Sequence, residues 1–525
     1  MLEMHLPWIE LAILFPLIGS LLIINVSNPE ITRKRALITC AFALVAAYGA
    51  WEDFHSLHSF QAHDHWDFFS RWLGPEMLVI DELNAPLLPI TALLFLLTTV
   101  ATLRTKVRRF PFSSMLFSQA ILTALLTCRD PVGIIGLSAL HCVPPALELR
   151  ARGRSSRIFL LHMVLSTLLL MSGWAIIRAE GDTTVHSSFA ILLLVNGVMI
   201  RSGCAPLHCW MTDLFENATF GTSLLFVTPM VGAYIAARLI LPIAPAWILH
   251  GMSLIALATA VYAGGMALIQ QDARRSFCFL FLSFSSLILV GMGIATPVGL
   301  AGALCVWLSV CMATAGFGLT IRALESRTGR LSLKKYHGLY DHMPSLAVFF
   351  LLTGLASVGF PGTVGFVGAE LLVEGVISVY PYVGVFVALA TALNGIAVLY
   401  TYFRLFTGRI HVASIPLTAR WPERMAVLAL TLLLLGGGLF PQPGITSRYH
   451  AAKALLERRI APPLEEPQEH DSETDVEHAS SPPASNVPIV STTPALTGAR
   501  HLSHSTTRVP NASVSVNGVT TNSWP

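Results

Sequence analysis

The segment from Gly197 to Asp213 brings together the side chains of this sequence that could do chemistry inside a membrane. Arg201 interrupts an apolar run, and Pro206 and His208 follow it closely. A charged side chain at membrane depth costs about 2.5–3.5 kcal/mol on insertion scales. Glycine and proline beside such a charge predict a broken helix. Because exposed backbone is tolerated there only where protein shields it or it lines a cavity, the segment suggests a path for ions.

The composition indicates that this segment belongs to a polytopic membrane protein. The chain has 525 residues, of which 54% are hydrophobic and 12% are charged, and its mean hydropathy is +0.65. A soluble globular protein carries about 25% charged residues. The net charge of +3 and the lack of a long basic block give no support for a nucleic-acid partner.

About fourteen apolar segments are long enough to cross a bilayer, which takes about 20 helical residues. They occupy 8–27, 36–51, 84–103, 113–128, 132–149, 158–178, 188–209, 220–243, 246–270, 276–295, 297–321, 345–379, 381–406 and 424–441. Pro361-Gly362 divides the segment 345–379, which is too long for one crossing, and predicts a second broken helix. The predicted fold is an all-α polytopic membrane protein with two inverted repeats, each containing one broken helix.

These segments and a change in composition divide the chain into regions. Residues 1–112 hold N-terminal transmembrane helices and a long loop, and the two repeats occupy 113–243 and 244–406. A C-terminal helix region spans 407–456, and residues 457–525, rich in Glu, Ser, Thr and Pro, are predicted to be a disordered tail. Lys and Arg concentrate in alternate loops, so the positive-inside rule places both termini on the outer side of a membrane, which we expect to be a bacterial inner membrane.

Several motifs occur in the order and spacing of a known family. Residues 79–87, VIDELNAPL, resemble its "D-G-L-S-x-P-L", and residues 201–213, RSGCAPLHCWMTD, resemble "K-x-P-x-x-P-L-H-x-W-L-P-D". Residues 270–275, QQDARR, resemble "Q-x-D-x-K-R", and residues 360–368, FPGTVGFVG, resemble "L-P-G-T-S-G-F-V-G-E". From about 79 to 407 the sequence is thus similar to the antiporter-like membrane subunits of respiratory complex I, of the M type. Their superfamily includes the Mrp cation/proton antiporters.

The resemblance implies a subunit that moves protons along a central row of buried ionisable residues while electron transfer occurs in other subunits. It implies partners among the other membrane subunits of a respiratory-type complex, within the lipid bilayer. No P-loop, dinucleotide fingerprint or iron–sulfur cysteine spacing is present, so we expect no redox cofactor and no catalytic residues in this part of an NADH–quinone oxidoreductase. Two alternatives remain open. One is a cation/proton antiporter or proton-channel subunit of another complex, such as one for inorganic-carbon uptake, and the other is a structural paralogue that does not pump.

In the first repeat, the resemblance shows that the family's ionisable residues are replaced. Arg201 stands where the family has a lysine, and Ala139 or Leu140 stands where it has a glutamate, with His141 just after. Met230 stands where it has a second lysine. Because arginine stays protonated in proteins, with a pKa above about 12, Arg201 should not itself shuttle protons.

The second repeat is also altered. By the same resemblance, Val310 and Thr314 replace a histidine and a lysine, and Ala369 replaces a glutamate. Glu370 follows Ala369 and is rotated by about 100° on a helix. Glu374 lies one turn further on the same face as Glu370, so the two carboxylates are expected to share a cavity.

The candidate proton-pathway residues are therefore Arg201, His208, Glu370, His141 and Glu374. A structural ion pair explains Arg201 as well as a retained channel charge does. For the others, the alternatives are a backbone cap for His208, a fixed pairing with a cation for Glu370, and a satisfied core position for His141.

Other polar residues have simpler explanations. Asp81 is expected to cap the third helix. Asp272, Arg274 and Arg275 are expected to lie in a solvated turn with positive-inside charges. Cys204, His208 and Cys209 could form a metal cluster, but small residues that pack between helices explain the cysteines better, so no metal site is predicted.

Overall fold

The computed structural model describes residues 2–57, 59–64, 77–103, 108, 110–181, 185–409 and 417–460, most of them in helices. Nearly all of the predicted disordered tail lies outside the described residues, as does much of the loop that precedes the third expected crossing.

The N-terminal region combines three helices with a small sheet. Its elements are β1 (Leu2–Glu3), α1 (Trp8–Ile24), α2 (Pro29–Leu57), β2 (Gln61–His63), β3 (Val79–Asp81) and α3 (Leu87–Val100). β2 pairs in parallel with β1 and antiparallel with β3. The sheet departs from the all-α prediction, because strands of two or three residues are too short to show the alternation by which strands are recognised.

The rest of the described chain is helical. Its middle part comprises α4 (Phe112–Thr127), α5 (Pro131–Leu140), α6 (Val143–Ala151), α7 (Arg157–Glu180), α8 (Ser188–Ser202), α9 (Cys209–Asn217), α10 (Phe220–Val227), α11 (Val231–Ile235) and a π-helical turn (Ala236–Ile240). Its last part comprises α12 (Ala246–Ile269), α13 (Ala273–Ile294), α14 (Pro297–Thr328), α15 (Pro344–Val358), α16 (Val364–Ile377), α17 (Pro381–Phe406), α18 (Trp421–Leu439) and α19 (Gln442–Ile460).

Nine helical segments of the described chain are long and apolar enough to cross a membrane. They are Pro29–Leu57, Pro131–Ala151, Arg157–Glu180, Phe220–Ile240, Ala246–Ile269, Ala273–Ile294, Pro297–Thr328, Pro381–Phe406 and Trp421–Leu439. Five shorter apolar helices accompany them, namely α1, α3, α4, α8 and α15. The prediction of a polytopic, predominantly helical membrane protein is therefore confirmed.

Both helix breaks predicted from the sequence are present. Residues 203–208 separate α8 from α9, and Gly203 has a left-handed φ of 74°. Residues 359–363 separate α15 from α16, and Gly359 has a left-handed φ of 88°. Glycine adopts this region without steric cost, so each glycine ends its helix and turns the chain.

Two further interruptions divide segments that the sequence suggested were single crossings. α5 and α6 meet at residues 141–142, just before Pro144 and Pro145. α10 ends before Pro229, and Met230 has a left-handed φ of 54°. Proline has no N–H to donate and its ring clashes with the preceding turn, so the helical hydrogen bonds fail at these places.

Asp81 anchors the end of the bundle that carries the sheet. Its carboxylate accepts two hydrogen bonds from the Arg238 guanidinium, at 2.6 and 2.9 Å. It also accepts hydrogen bonds from the backbone N–H groups of Leu83 and Asn84. The expectation that Asp81 caps the third helix is wrong, because α3 begins at Leu87 without a side-chain cap. The carboxylate is held instead by a partner 157 residues away, which local sequence cannot reveal.

α19 packs across the same end. Arg448 is only 1% exposed, and its guanidinium donates to the carbonyl oxygen of Leu83 at 3.1 Å and to that of Glu82. Arg458 of the same helix lies 3.8 Å from the Asp81 carboxylate. α19 therefore ties the loop after β3 to the C-terminal part of the described chain.

Ion pairs link helices at the end of the bundle opposite the sheet. Arg274 pairs with Glu325 at 2.6 Å, and their side chains are 17% and 6% exposed. Arg327 pairs with Glu423 at 2.5 Å. The Asp272 carboxylate caps α13 by accepting hydrogen bonds from backbone N–H groups. Arg275 is exposed, as the expected solvated turn requires, but Arg274 is half-buried because its side chain pairs with Glu325 on another helix.

Asp64 caps α1 from a distant position in the chain. Its carboxylate accepts hydrogen bonds from the backbone N–H groups of Ile9 at 3.2 Å and Glu10 at 2.7 Å. Burial raises the pKa of Asp64 to about 7, the two hydrogen bonds oppose that shift, and the Glu10 and Asp53 carboxylates add to it.

The pH dependence of stability should report this raised pKa. Below a pH of about 4 the carboxyl is protonated in both states, and between about 4 and 7 only the folded protein keeps the proton. Stability therefore falls as the pH rises through this window and levels off above it. Asp64→Asn keeps an oxygen for the N–H groups but does not titrate. We expect the unfolding midpoint to drop less between pH 5 and pH 8 in this variant, and identical profiles in thermal scans would contradict the assignment.

Candidate functional site

Arg201 is buried where α8 breaks. It lies in the last turn of that helix and is 5% exposed. Its Nη2 points at Nδ1 of His141 at a long 3.4 Å, and its guanidinium carbon lies 4.4 Å from the centroid of the Phe226 ring. The His141 ring stacks on the same phenylalanine with centroids 4.9 Å apart. The ends of three interrupted helices, α5, α8 and α10, thus meet at one cluster.

Within the described part of the chain, the charge of Arg201 is not balanced by an acid. Among the residues that the structure describes, no carboxylate lies within ion-pair distance of its guanidinium, and its buried Nε has no hydrogen-bond partner. The ion-pair alternative for Arg201 therefore finds no partner. A desolvated cation–π contact contributes about 2 kcal/mol, which offsets only part of the cost of burying the charge. Since a guanidinium does not deprotonate in proteins, Arg201 is a fixed positive charge.

His208 lies apart from that contact. It precedes α9, and its ring packs near Tyr262 and Phe279, with centroids 5.5 and 5.6 Å away. Among the described residues, the ring makes no capping hydrogen bond to α9 and its buried Nδ1 has no partner. The ring does interact with the backbone of Pro206 in the break, so the cap alternative stays open. Cys204 is buried while Cys209 is exposed, and within the described residues no three ligand-type side chains are grouped for a metal ion.

A cavity of about 750 Å³ lies at the second helix break. Glu370 and Glu374 both line it, as their spacing predicted, together with Ser309 of α14 and Asn394 of α17. The Asn394 amide nitrogen donates to the Ser283 hydroxyl at 2.8 Å. Its amide oxygen and the Ser309 hydroxyl are buried and have no partner in the described chain. These groups could hold water, or a proton shared with a carboxylate.

Among the residues that the structure describes, none supplies a cation to these carboxylates at the cavity of the second helix break. Within the described residues, no Lys, Arg or His side chain lies within ion-pair distance of Glu370 or Glu374. The fixed-pairing alternative for Glu370 therefore has no support here. Both side chains are exposed at the wall of the cavity, so water or a neighbouring subunit could reach them.

At three buried positions, the resemblance implies ionisable residues, but this chain has side chains that do not titrate: Met230, Val310 and Thr314. Met230 lies at the break between α10 and α11 and lines a cavity of about 20 Å³ beside Arg201. Val310 lines the larger cavity, and the Thr314 hydroxyl donates to the Val310 carbonyl at 2.6 Å. α13 lies between the two cavities and contributes residues to both. The fixed charge and the carboxylates therefore form two separate polar sites.

One buried acid is absent from the predicted candidates. Glu148 in α6 is 6% exposed, and its Oε1 accepts a hydrogen bond at 2.7 Å from the backbone N–H of Thr219, just before α10. Its Oε2 is buried without a partner in the described chain. An acid inside the apolar segment 132–149 was a usable signal, because such a residue at membrane depth is rare and functional by default.

Comparisons with known proteins show which proteins this chain is similar to in sequence. Residues 151–394 match the family described as NADH:quinone oxidoreductase/Mrp antiporter, transmembrane. NAD(P)H-quinone oxidoreductase chain 4 3 of Trichormus variabilis is 23% identical over 481 residues, which cover 83% of this chain and 89% of that protein. NADH-quinone oxidoreductase subunit M of Rickettsia bellii is 29% identical over 268 residues, which cover 49% of this chain and 53% of that protein.

Solved structures share the fold. A chain of respiratory complex I from Thermus thermophilus has a TM-score of 0.74 at 21% identity, covering 86% of this chain and 99% of that one. A chain of the Mrp complex from Dietzia sp. has a TM-score of 0.74 at 18% identity, with coverages of 85% and 97%. The resemblance found in the sequence motifs is thereby confirmed: the chain is similar to the antiporter-like membrane subunits of complex I and shares the fold of chains in complex I and Mrp complexes.

Proposed function

We propose that the chain is a membrane-arm subunit of an NADH–quinone oxidoreductase type complex and helps to couple electron transfer in other subunits to proton translocation. The observation that carries this proposal is the buried Arg201 at the break of α8. A charge at that depth is costly and is retained where it acts on ions or on water. Its partners are the other membrane subunits of the complex, and the family matches support this assignment.

We infer that the chain crosses the membrane fourteen times. The nine long helical segments and the five shorter apolar helices together support that number. The broken pairs α8–α9 and α15–α16 would then occupy corresponding places in two inverted repeats, 113–243 and 244–406, as in many transporters. The helical region that follows extends to Ile460, slightly beyond the boundary at 456 that composition suggested.

The orientation follows from the distribution of charge. The end opposite the sheet carries Arg274, Arg275, Arg322 and Arg327 together with basic loop residues, which supports placing that end inside. Both termini would then lie outside. The cyanobacterial and rickettsial relatives fit a bacterial inner membrane.

The two polar sites would have different roles. Glu370 and Glu374 would exchange protons through the larger cavity, with His208 and His141 as further candidates. Arg201 would set the electric field of the first repeat without exchanging its own proton. General acid–base groups typically contribute 10²–10⁴-fold, so removing the carboxylates should have a large effect on transfer.

Proton flux in the reconstituted complex tests these roles. The double variant Glu370→Gln, Glu374→Gln should lower redox-driven proton uptake into proteoliposomes by about 10-fold or more, because neither amide can carry a proton. Glu52→Gln, which changes an exposed glutamate on α2, should leave the flux unchanged. If Arg201→Ala, Glu370→Gln and His208→Ala together leave the flux at the wild-type level, this subunit is not a conduit.

Two observations favour alternative functions. The uncharged Met230, Val310 and Thr314 favour a structural paralogue that does not pump. The structural likeness to the Mrp complex favours a cation/proton antiporter or proton-channel subunit of a different complex. The genes next to the one for this chain distinguish these functions. Adjacent complex I genes would support the main proposal, and a gene for a large soluble zinc protein would support an inorganic-carbon uptake complex.

A further inference from the structure

Arg201 differs from other well-buried arginines of the described chain in what its guanidinium binds. Arg448 donates to two backbone carbonyls, and Arg238 donates to a carboxylate and to a tyrosine hydroxyl. Arg322 donates to a carbonyl at 3.0 Å and to a threonine hydroxyl at 2.8 Å. The one hydrogen-bond contact of Arg201 among the described residues is a ring nitrogen at 3.4 Å. A buried guanidinium without an oxygen acceptor is strongly destabilising unless something else accepts its hydrogen bonds.

Three polar groups at or beside Arg201 are donors that find no acceptor among the described residues. Because a guanidinium only donates, Nδ1 of His141 accepts, which puts the proton of the neutral ring on Nε2. Three polar atoms here are buried without a partner in the described chain: Nε2 of His141, Nε of Arg201 and the hydroxyl oxygen of Ser202. A group of donors beside a fixed positive charge is the chemistry that recognises an anion.

The space beside two of these donors, Arg201 and Ser202, limits the size of the ligand. A cavity of about 20 Å³ is lined by Arg201, Ser202 and Ser285, together with apolar side chains that include Met230. A cavity needs about 10–15 Å³ to hold one water molecule. The cavity therefore has room for about one small particle, which favours a monatomic anion over anions of several heavy atoms, such as bicarbonate or phosphate.

We propose that this cavity binds one small monovalent anion of the halide class, with chloride as the physiological candidate. The anion accepts hydrogen bonds from Arg201 and Ser202 and neutralises the guanidinium, as a carboxylate would. Water alone fills the space but leaves the charge uncompensated. With the anion bound, the first repeat carries a neutral pair, and without it a fixed positive charge repels cations. The site depends on the burial of Arg201 and stands whether or not the subunit conducts protons.

Anomalous scattering locates the anion directly. Crystals of the full chain grown in sodium bromide and measured at the bromine absorption edge should show a peak in contact with the Arg201 guanidinium. Arg201→Met, which keeps similar bulk without the charge, should lack that peak. Density for a water molecule without anomalous signal in the wild-type protein would overturn the proposal, and this wild-type measurement does not depend on whether Arg201→Met folds.

Thermal unfolding gives a second readout in solution. At equal sodium concentration, the wild-type protein in detergent should unfold about 2 °C or more higher in chloride than in gluconate, which is too large to enter the cavity. Arg201→Met should abolish this difference. Arg322→Met, which removes an arginine that already has oxygen acceptors, should retain it. No difference in the wild-type protein, or an unchanged difference in Arg201→Met, would contradict anion binding at this cavity.

Discussion

Asp81→Ala should lower the free energy of unfolding by about 3–5 kcal/mol, because it leaves the Arg238 guanidinium buried without its partner. The two side chains are 7% and 10% exposed and lie 2.6 Å apart. Burial raises the pKa of the Asp81 carboxyl, but Arg238 outweighs this effect and holds the pKa below its ordinary value. The carboxylate is therefore ionised at neutral pH, and its loss removes a full compensating charge. Denaturant titration in detergent measures the change.

A second variant separates the ion pair from general damage to the loop. In Asp81→Ala, Arg238→Met no buried charge is left behind, so much of the lost stability should return. Lys453→Ala removes an ion pair whose side chains are 64% and 63% exposed, and it should leave the unfolding midpoint unchanged within error. Equal losses in Asp81→Ala and Lys453→Ala would show that burial of the Asp81 pair does not matter.

Gly375→Ala should be destabilising by about 3 kcal/mol or more, because α14 and α16 contact each other backbone to backbone at this glycine. A Cβ atom placed on Gly375 overlaps the backbone nitrogen and Cα of Gly299. No flexible side chain can move aside there, so the two helices must separate. Membrane helices use small residues for such close approach. Because Glu370 and Glu374 lie on α16, the same variant should also lower proton flux.

Gly265→Ala provides the matched control. This glycine also lies inside a long apolar helix, α12, but nothing is within 4 Å of the Cβ that the substitution adds. Alanine forms helices better than glycine by about 1 kcal/mol, so stability should be unchanged or slightly higher. Urea or SDS titrations of the two variants side by side measure both effects. Similar losses in both would exclude the helix contact as the cause.

The sequence predicts the parts of this fold whose physical cause is local. Arg201 stands out because a charge inside an apolar run is costly, and Pro361 with its neighbouring glycines marks a break. The shared helix face of Glu370 and Glu374 follows from helical spacing alone. Each of these features depends on residues within about one or two helical turns, so no long-range contact is needed to see it.

The features that sequence reasoning missed depend on distant partners or on competing interactions. Asp81 looks like a helix cap until Arg238 is seen to hold it. Ser309 and Asn394 are ordinary polar residues in apolar helices, and only packing places both at the larger cavity. Met230 shows that a break can fall on a residue with no turn preference, since Pro229 before it prevents a regular helix.

The contact between Arg448 and the carbonyl of Leu83 has a consequence for biosynthesis. The donor follows its acceptor by 365 residues. At a translation rate of about 5–20 residues per second, the ribosome adds that length in roughly 20–70 s. Until then the newly made segment after β3 has no arginine to hold it, and water or the insertion machinery must satisfy its carbonyl groups. The contacts between α19 and the loop after β3 are consequently among the last to form.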